Sequence, residues 1–140
     1  NPLGIWTEEL GGEDPFAQDP MRATEVLFAD PARRENLILR DGTVDPLENS
    51  VREMKDLKAA AKFLWPLGDT GVIKRLPRIT AHTIVVTGAG DRVVPPAYGR
   101  LWKSHLQWAE AKTILDAGHL ANLEQPNRFA TIAGSWFTAP

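Results

Sequence analysis

A carboxylate and a histidine, each delivered by a glycine-bearing turn after an apolar run, are the residues of this chain best placed to do chemistry. Thr83-Ile-Val-Val-Thr87 stops at Gly88-Ala-Gly90 and presents Asp91, and a shorter run, Thr113-Ile-Leu115, passes through Asp116-Ala-Gly118 and presents His119. A histidine held against a buried carboxylate gains a fixed ring orientation and a stabilised imidazolium. A general base needs both if it is to take a proton and return it near neutral pH. Singly, an aspartate after a strand is ordinarily a turn or cap residue, and a histidine an ordinary surface or core residue. Their position on successive strand ends is what makes them a pair. His82 precedes a strand and His105 lies inside a helix, so both read as structural or solvated. Three scattered histidines give no metal-ligand spacing, and nothing in the chain calls for a cofactor.

For the two loops to meet, the strands before them must lie side by side and point the same way. Thr83–Thr87 is β-branched and unbroken, as in a strand covered on both faces. Pro95-Pro96 opens a helix over about 97–106 with Tyr98, Leu101, Trp102 and Leu106 on one face. Ala111–Leu115 is the second strand and Asp116–Asn122 a loop. Pro126 starts a last helix running to about Phe137, with Phe129, Ile132, Ala133 and Trp136 apolar. A right-handed crossover makes the two strands parallel neighbours. In an open parallel sheet, ligands and catalytic groups collect beyond the carboxyl ends of the strands, where Asp91 and His119 both fall.

The first half reads as helical. Residues 1–16 are irregular, and Asp-Pro pairs stand at 14–15, 19–20, 30–31 and 45–46. Aspartate caps free helical N–H groups and proline suits the first helical position. The first pair therefore predicts a turn, and the others predict helices over about 20–29, 31–39 and 46–64. In the last of these Glu48 is placed to reach back to the cap, and Leu47, Val51, Met54, Leu57, Ala61 and Leu64 form one stripe, expected to pack in a core. Pro66 and Gly68 end it, and residues 66–82 form a connection with one short helical turn.

At 140 residues the chain suits one modest domain, and a formal charge of −2 gives no reason to expect nucleic acid or an anionic membrane as partner. No apolar run approaches the roughly 20 residues that span a bilayer, and no signal peptide is visible. The absence of cysteine excludes disulfides and thiolate metal sites and fits a reducing, cytoplasmic compartment.

The local patterns resemble those of a known family. Gly88-Ala-Gly-Asp-Arg-Val-Val-Pro95 is similar to the acid loop after the seventh strand of α/β-hydrolase-fold enzymes. Ala117-Gly-His-Leu120 through Glu124-Gln-Pro126 and Phe129 resembles their histidine loop and final helix. The chain order of that family, Ser, then Asp or Glu, then His, also fits. The resemblance implies an α/β chain with a partial α/β-hydrolase fold: a helical lid over 1–76, then a β-α-β-α part with parallel strands over 77–140. Asn1-Pro-Leu-Gly4 would be the tail of strand six entering the lid. Carried over, Asp91 is the triad acid and His119 the base, while Glu124 and Pro126 shape the start of the last helix.

The family's Gly-x-Ser-x-Gly elbow is not present. The serines are Ser50, Ser104 and Ser135, none in that setting, and His82 stands where many members have proline. The chain is thus expected to be the C-terminal half of a hydrolase and inactive alone. Its parent is expected to act on a small apolar ester-like substrate in a pocket lined by Trp6, Leu27, Phe28, Phe63 and Trp65. A carbon–carbon bond hydrolase is the next reading, then an epoxide or haloalkane hydrolase with an Asp nucleophile. The competing reading is a non-catalytic module that associates with itself, or with an N-terminal half, through an exposed edge at strand 83–87.

Overall fold

The computed structural model describes residues 2–34 and 45–138. Among them the chain forms α1 (Pro20–Leu27), α2 (Pro46–Leu64), β1 (Thr83–Gly88), α3 (Ala97–His105), β2 (Ala109–Ile114), the short α4 (Ala121–Glu124) and α5 (Pro126–Thr138). Aspartate–proline pairs start the early elements. Asp14 caps a single 3-10 turn through the Phe16 N–H, Asp19 accepts from the Arg22 N–H, and Asp45 accepts from the Leu47 N–H. Asp30 begins a further turn by accepting from the Ala32 N–H, and most of the helix expected over 31–39 lies outside the described residues. The connection before β1 holds two 3-10 turns, Val72–Lys74 and Leu76–Arg78, rather than one. Residues 2–6 are not strand.

β1 and β2 form a two-stranded parallel sheet with Thr83 opposite Ala109 and Gly88 opposite Ile114. α3 makes the crossover and lies close on β1, because Gly99 leaves room that a Cβ would take from Thr87 Cγ2 at 2.8 Å. β2 begins two residues before the expected Ala111 and ends one before Leu115, which is exposed. Its alternating Glu110 and Lys112 are exposed and paired at 2.9 Å, and that contact holds the Glu110 carboxyl below its ordinary value. Charges of this kind discourage pairing along a strand edge.

The helical and α/β parts share one core. Ile5 and Val26 pack with Leu76, Val85, Val93, Val94, Tyr98 and Leu106. Tyr98 is the keystone of the N-terminal segment. Its ring stacks with Trp6, and its hydroxyl lies within 3.1 to 3.2 Å of the Thr7 N–H, the Thr7 carbonyl and the Gly11 carbonyl. A second, smaller cluster joins Ile114, Ala117 and Ala121 to Val86 and Ile132 of α5.

One expectation is overturned. α2 has the expected bounds, but its apolar stripe is not core: Leu47 is 72% exposed, and Val51, Met54 and Leu64 are exposed as well. The residue it buries is Asn49, whose amide donates to Glu53 and accepts from Arg52. Glu53 in turn pairs with Arg34. Periodicity shows that a helix has an apolar face, but only a partner element decides whether that face is covered.

Among the described residues no second strand pairs with the free edge of β1, a half-buried edge of β-branched residues. Such an edge templates association. We therefore expect the 140-residue chain to self-associate, measured by sedimentation velocity at tens of micromolar; a single monomeric species at that concentration would rule this out.

Candidate active site

The parallel register puts the ends of β1 and β2 side by side, and the two following loops interlock through backbone. The Ala89 N–H donates to the Ile114 carbonyl and the Gly90 N–H to the Ala117 carbonyl, both at 2.8 Å. A Cβ on Gly88 would collide with the Ala117 and Gly118 carbonyl oxygens, so glycine is required where the loops cross. Asp116 turns the second loop with φ of 56°, a left-handed conformation that aspartate tolerates.

This arrangement brings Asp91 and His119 together. His119 Nδ1 lies 3.2 Å from Asp91 Oδ1 and 3.1 Å from Oδ2. The Asp91 side chain is fully buried, whereas that of His119 keeps 16% exposure. The acid is therefore hidden behind a base that still reaches the surface. Asp91 Oδ1 also accepts from the Val93 and Val94 N–H groups, each at 2.9 Å. These bonds fix the carboxylate and offset part of the cost of burying it. An ionised carboxylate only accepts, so Nδ1 carries the hydrogen and the neutral ring presents a lone pair at Nε2. Nε2 has no hydrogen-bond partner among the described residues.

The helical part is latched to both loops. Arg92, next to Asp91, donates to Glu13 at 2.6 Å, and the Glu13 N–H donates back to the Arg92 carbonyl at 2.7 Å. The His119 N–H donates to the Leu27 carbonyl at the end of α1 at 2.9 Å. Glu124 does not serve the start of α5 as expected. It is buried, and its carboxylate accepts from the Gly118, Ala29 and Asp30 N–H groups. No local pattern could disclose this, because two of its partners lie 94 and 95 residues away in sequence.

The other histidines, read as structural or solvated, and the serines have surroundings of their own. His82 is exposed and stacks on Trp108, and His105 ends α3. Ser104 and Ser135 donate to carbonyls of their own helices, and Ser50 is exposed on α2. Four of the five apolar residues expected to line the parent's pocket have surroundings of their own in this chain. Phe63 is 88% exposed, Trp65 points its N–H at Asp14, Phe28 is buried and Trp6 lies on Tyr98. A groove of about 420 Å³ between β2 and α5, lined by Ile114, Leu115, Arg128 and Ile132 among others, includes neither Asp91 nor His119. No group of three His, Cys, Asp or Glu side chains that could hold a metal occurs among the described residues. No described helix is long and apolar enough to cross a membrane.

A carboxylate and a histidine at the carboxyl ends of adjacent parallel strands, with a helical crossover between them, define an acid–histidine site on an α/β sheet. The chain belongs to the α/β-hydrolase family, whose model matches residues 4–132. It is 32% identical over 127 residues to the 2-hydroxy-6-oxononadienedioate/2-hydroxy-6-oxononatrienedioate hydrolase of Escherichia coli (strain K12), covering 91% of this chain and 40% of that protein. The chain thus spans about two fifths of the length of the curated relatives it matches. Solved structures share the fold. A serine hydrolase from Cycloclasticus zankles superposes with a TM-score of 0.68 at 12% identity, over 97% of this chain and 52% of that one. A thermophilic esterase from Thermogutta terrifontis gives 0.62 at 20%, with the same coverages. The 2-hydroxy-6-oxo-6-phenylhexa-2,4-dienoate hydrolase of Rhodococcus sp. strain RHA1 gives 0.57 at 22%, over 85% and 43%.

The role of Asp91 in setting the ring is directly measurable. In Asp91→Asn the side-chain NH₂ can face Nδ1, which must then accept. The imidazole ¹⁵N shifts of neutral His119 are expected to report the Nδ1–H tautomer in the wild type and the Nε2–H tautomer in Asp91→Asn. Identical tautomers in the two proteins would contradict the orienting role.

Proposed function

We propose that this chain supplies the acid and the base of a Ser-Asp-His hydrolase. In this reading residues up to 76 form the lid and residues from 77 onward belong to the catalytic core. The supporting observation is the bond from His119 Nδ1 to the buried Asp91, which leaves Nε2 unengaged by Asp91 on a side chain that keeps 16% exposure. The chain contains no Gly-x-Ser-x-Gly segment, so the proposal assigns the serine to residues outside these 140.

In the proposed cycle the serine hydroxyl attacks a carbonyl carbon while His119 Nε2 takes its proton. The tetrahedral intermediate collapses, and His119 returns that proton to the departing group, leaving an acyl-serine. A water then attacks the acyl carbon, again giving its proton to Nε2, and the serine leaves with that proton as the acid product is released. Asp91 stays ionised throughout, holding the ring and stabilising the imidazolium.

The leaving atom can be oxygen, as in an ester, or carbon, as in an oxo-dienedioate. Esterases of the same fold support the first class. The 32% identity to an oxo-dienedioate hydrolase, against 19–20% for these esterases, favours the second. Cytoplasmic residence fits a chain without cysteine.

In the intact protein His119→Ala is expected to lower kcat at least about a thousandfold on whichever of a short aryl ester or a 2-hydroxy-6-oxo-dienedioate it hydrolyses. The 140-residue chain alone is expected to turn over neither. An unchanged kcat in His119→Ala, or turnover by the isolated chain that survives that substitution, would overturn the assignment.

A further inference from the structure

Glu124 is an acid whose surroundings the general-base chemistry leaves unexplained. It is 7% exposed, and no ion pair involves it among the described residues. Its charge is met instead by three backbone donors on two separate pieces of chain. Oε1 accepts from the Gly118 N–H, immediately before His119. Oε2 accepts from the Ala29 N–H at 3.0 Å and the Asp30 N–H at 3.3 Å, just past the end of α1. A buried carboxylate meeting only backbone donors costs desolvation, so those donors must hold fixed positions to offset it.

Three further contacts run between the same two segments. The His119 N–H donates to the Leu27 carbonyl at 2.9 Å. Arg33 donates to the Asp116 carbonyl at 2.6 Å, at the turn that starts the histidine loop. Gly118 itself lies against the segment, since a Cβ there would stand 2.6 Å from the Ala29 nitrogen and 2.9 Å from the Leu27 oxygen. The backbone leading into the His119 Cα is therefore held by the end of α1 and the residues just after it, not by β2 alone.

We propose that Glu124 is a positioning residue for His119, and that its carboxylate locks the histidine loop to residues 27–30 so that Nδ1 stays on Asp91 only while that segment is docked. This rests on His119 being the base of the proposed hydrolase. The consequence is specific: displacement of the segment at residues 27–30, by substrate entry or product exit, disengages the base. Base and helical cover would then open as one unit.

The 140-residue chain provides the first test, without any variant. Amide hydrogen exchange at Ala29, Asp30, Gly118 and His119 is expected to show a common opening equilibrium, equal within twofold. Gly118 and His119 exchanging tenfold or more faster than Ala29 and Asp30, or slower, would overturn the lock. Glu124→Gln is the second test. Its single oxygen cannot serve both segments, and its NH₂ faces an N–H donor. Exchange at all four amides is expected to rise at least tenfold, and the ¹⁵N shifts of His119 to leave the pure Nδ1–H tautomer. Gly118→Ala, which wedges the same contact with the carboxylate intact, is expected to give the same signature. Tyr98→Phe, which removes buried hydrogen bonds in the N-terminal segment, controls for general destabilisation and is expected to leave the His119 tautomer unchanged. An unmoved tautomer in both Glu124→Gln and Gly118→Ala, or an equal change in Tyr98→Phe, would overturn the proposal.

In the intact protein Glu124→Gln is expected to lower kcat at least tenfold with KM within threefold. A normal kcat there, while His119→Ala is inactive, would sink the positioning role alone. A normal kcat in His119→Ala would sink the hydrolase reading and leave the exchange result standing.

Discussion

The parallel pairing of β1 with β2 is the constraint on which the site depends. Parallel strands end at the same edge, and the observed register sets Gly88 beside Ile114 so that the loops leave at the same level. A slip of one residue would turn every side chain of a strand to the other face and part the two loops. The pairing is held from one side by α3 on Thr87 and from the other by the cluster of Ile114, Ala117 and Ala121 beneath α5. Beyond the strands, contact is backbone against backbone, closer than any Cβ allows at Gly88 and Gly118. These two glycines let the loops approach closely enough for Asp91 to reach His119.

Two buried carboxylates divide the remaining work. Asp91 gathers the Val93 and Val94 N–H groups and His119 Nδ1, so it fixes the ring. Glu124 gathers N–H groups from Gly118 and from residues 29–30, so it fixes the loop that carries the ring. Glu124 has no lysine or arginine partner among the described residues, so no long side chain has to be held in one geometry to meet its charge. By contrast, the Arg22, Glu13, Glu25 and Arg92 pairs around the N-terminal segment are part-exposed, and such pairs contribute little individually.

Much of this was legible in the sequence, for reasons that also mark where reading stops. Asp91 and His119 each follow a strand-like run and a glycine turn, so their meeting needed only the handedness of one crossover. The Asp-Pro pairs located helix starts because capping is local chemistry. β2 was read two residues short because Ala109 and Glu110 do not look like part of an apolar run, although an edge strand carries charge readily. The α2 stripe was read as core because its spacing is right, yet periodicity carries no information about a covering element. Leu3, Ile5 and Val26 pack with β1 and α3 residues, so the boundary at 76–77 divides element types and does not divide the core. Glu124 stayed hidden because its role is defined by backbone groups far away in the chain.

As proposed, His119 is a general base aimed by Asp91 at a serine outside these residues. A crystal structure of the intact protein after reaction with a fluorophosphonate tests it most directly. One phosphonylated serine is expected, with His119 Nε2 within about 3 Å of that serine oxygen or its adduct and Nδ1 still on Asp91. Phosphonylation at a residue remote from His119, or an inhibited enzyme whose His119 has left Asp91 without approaching the adduct, would contradict it.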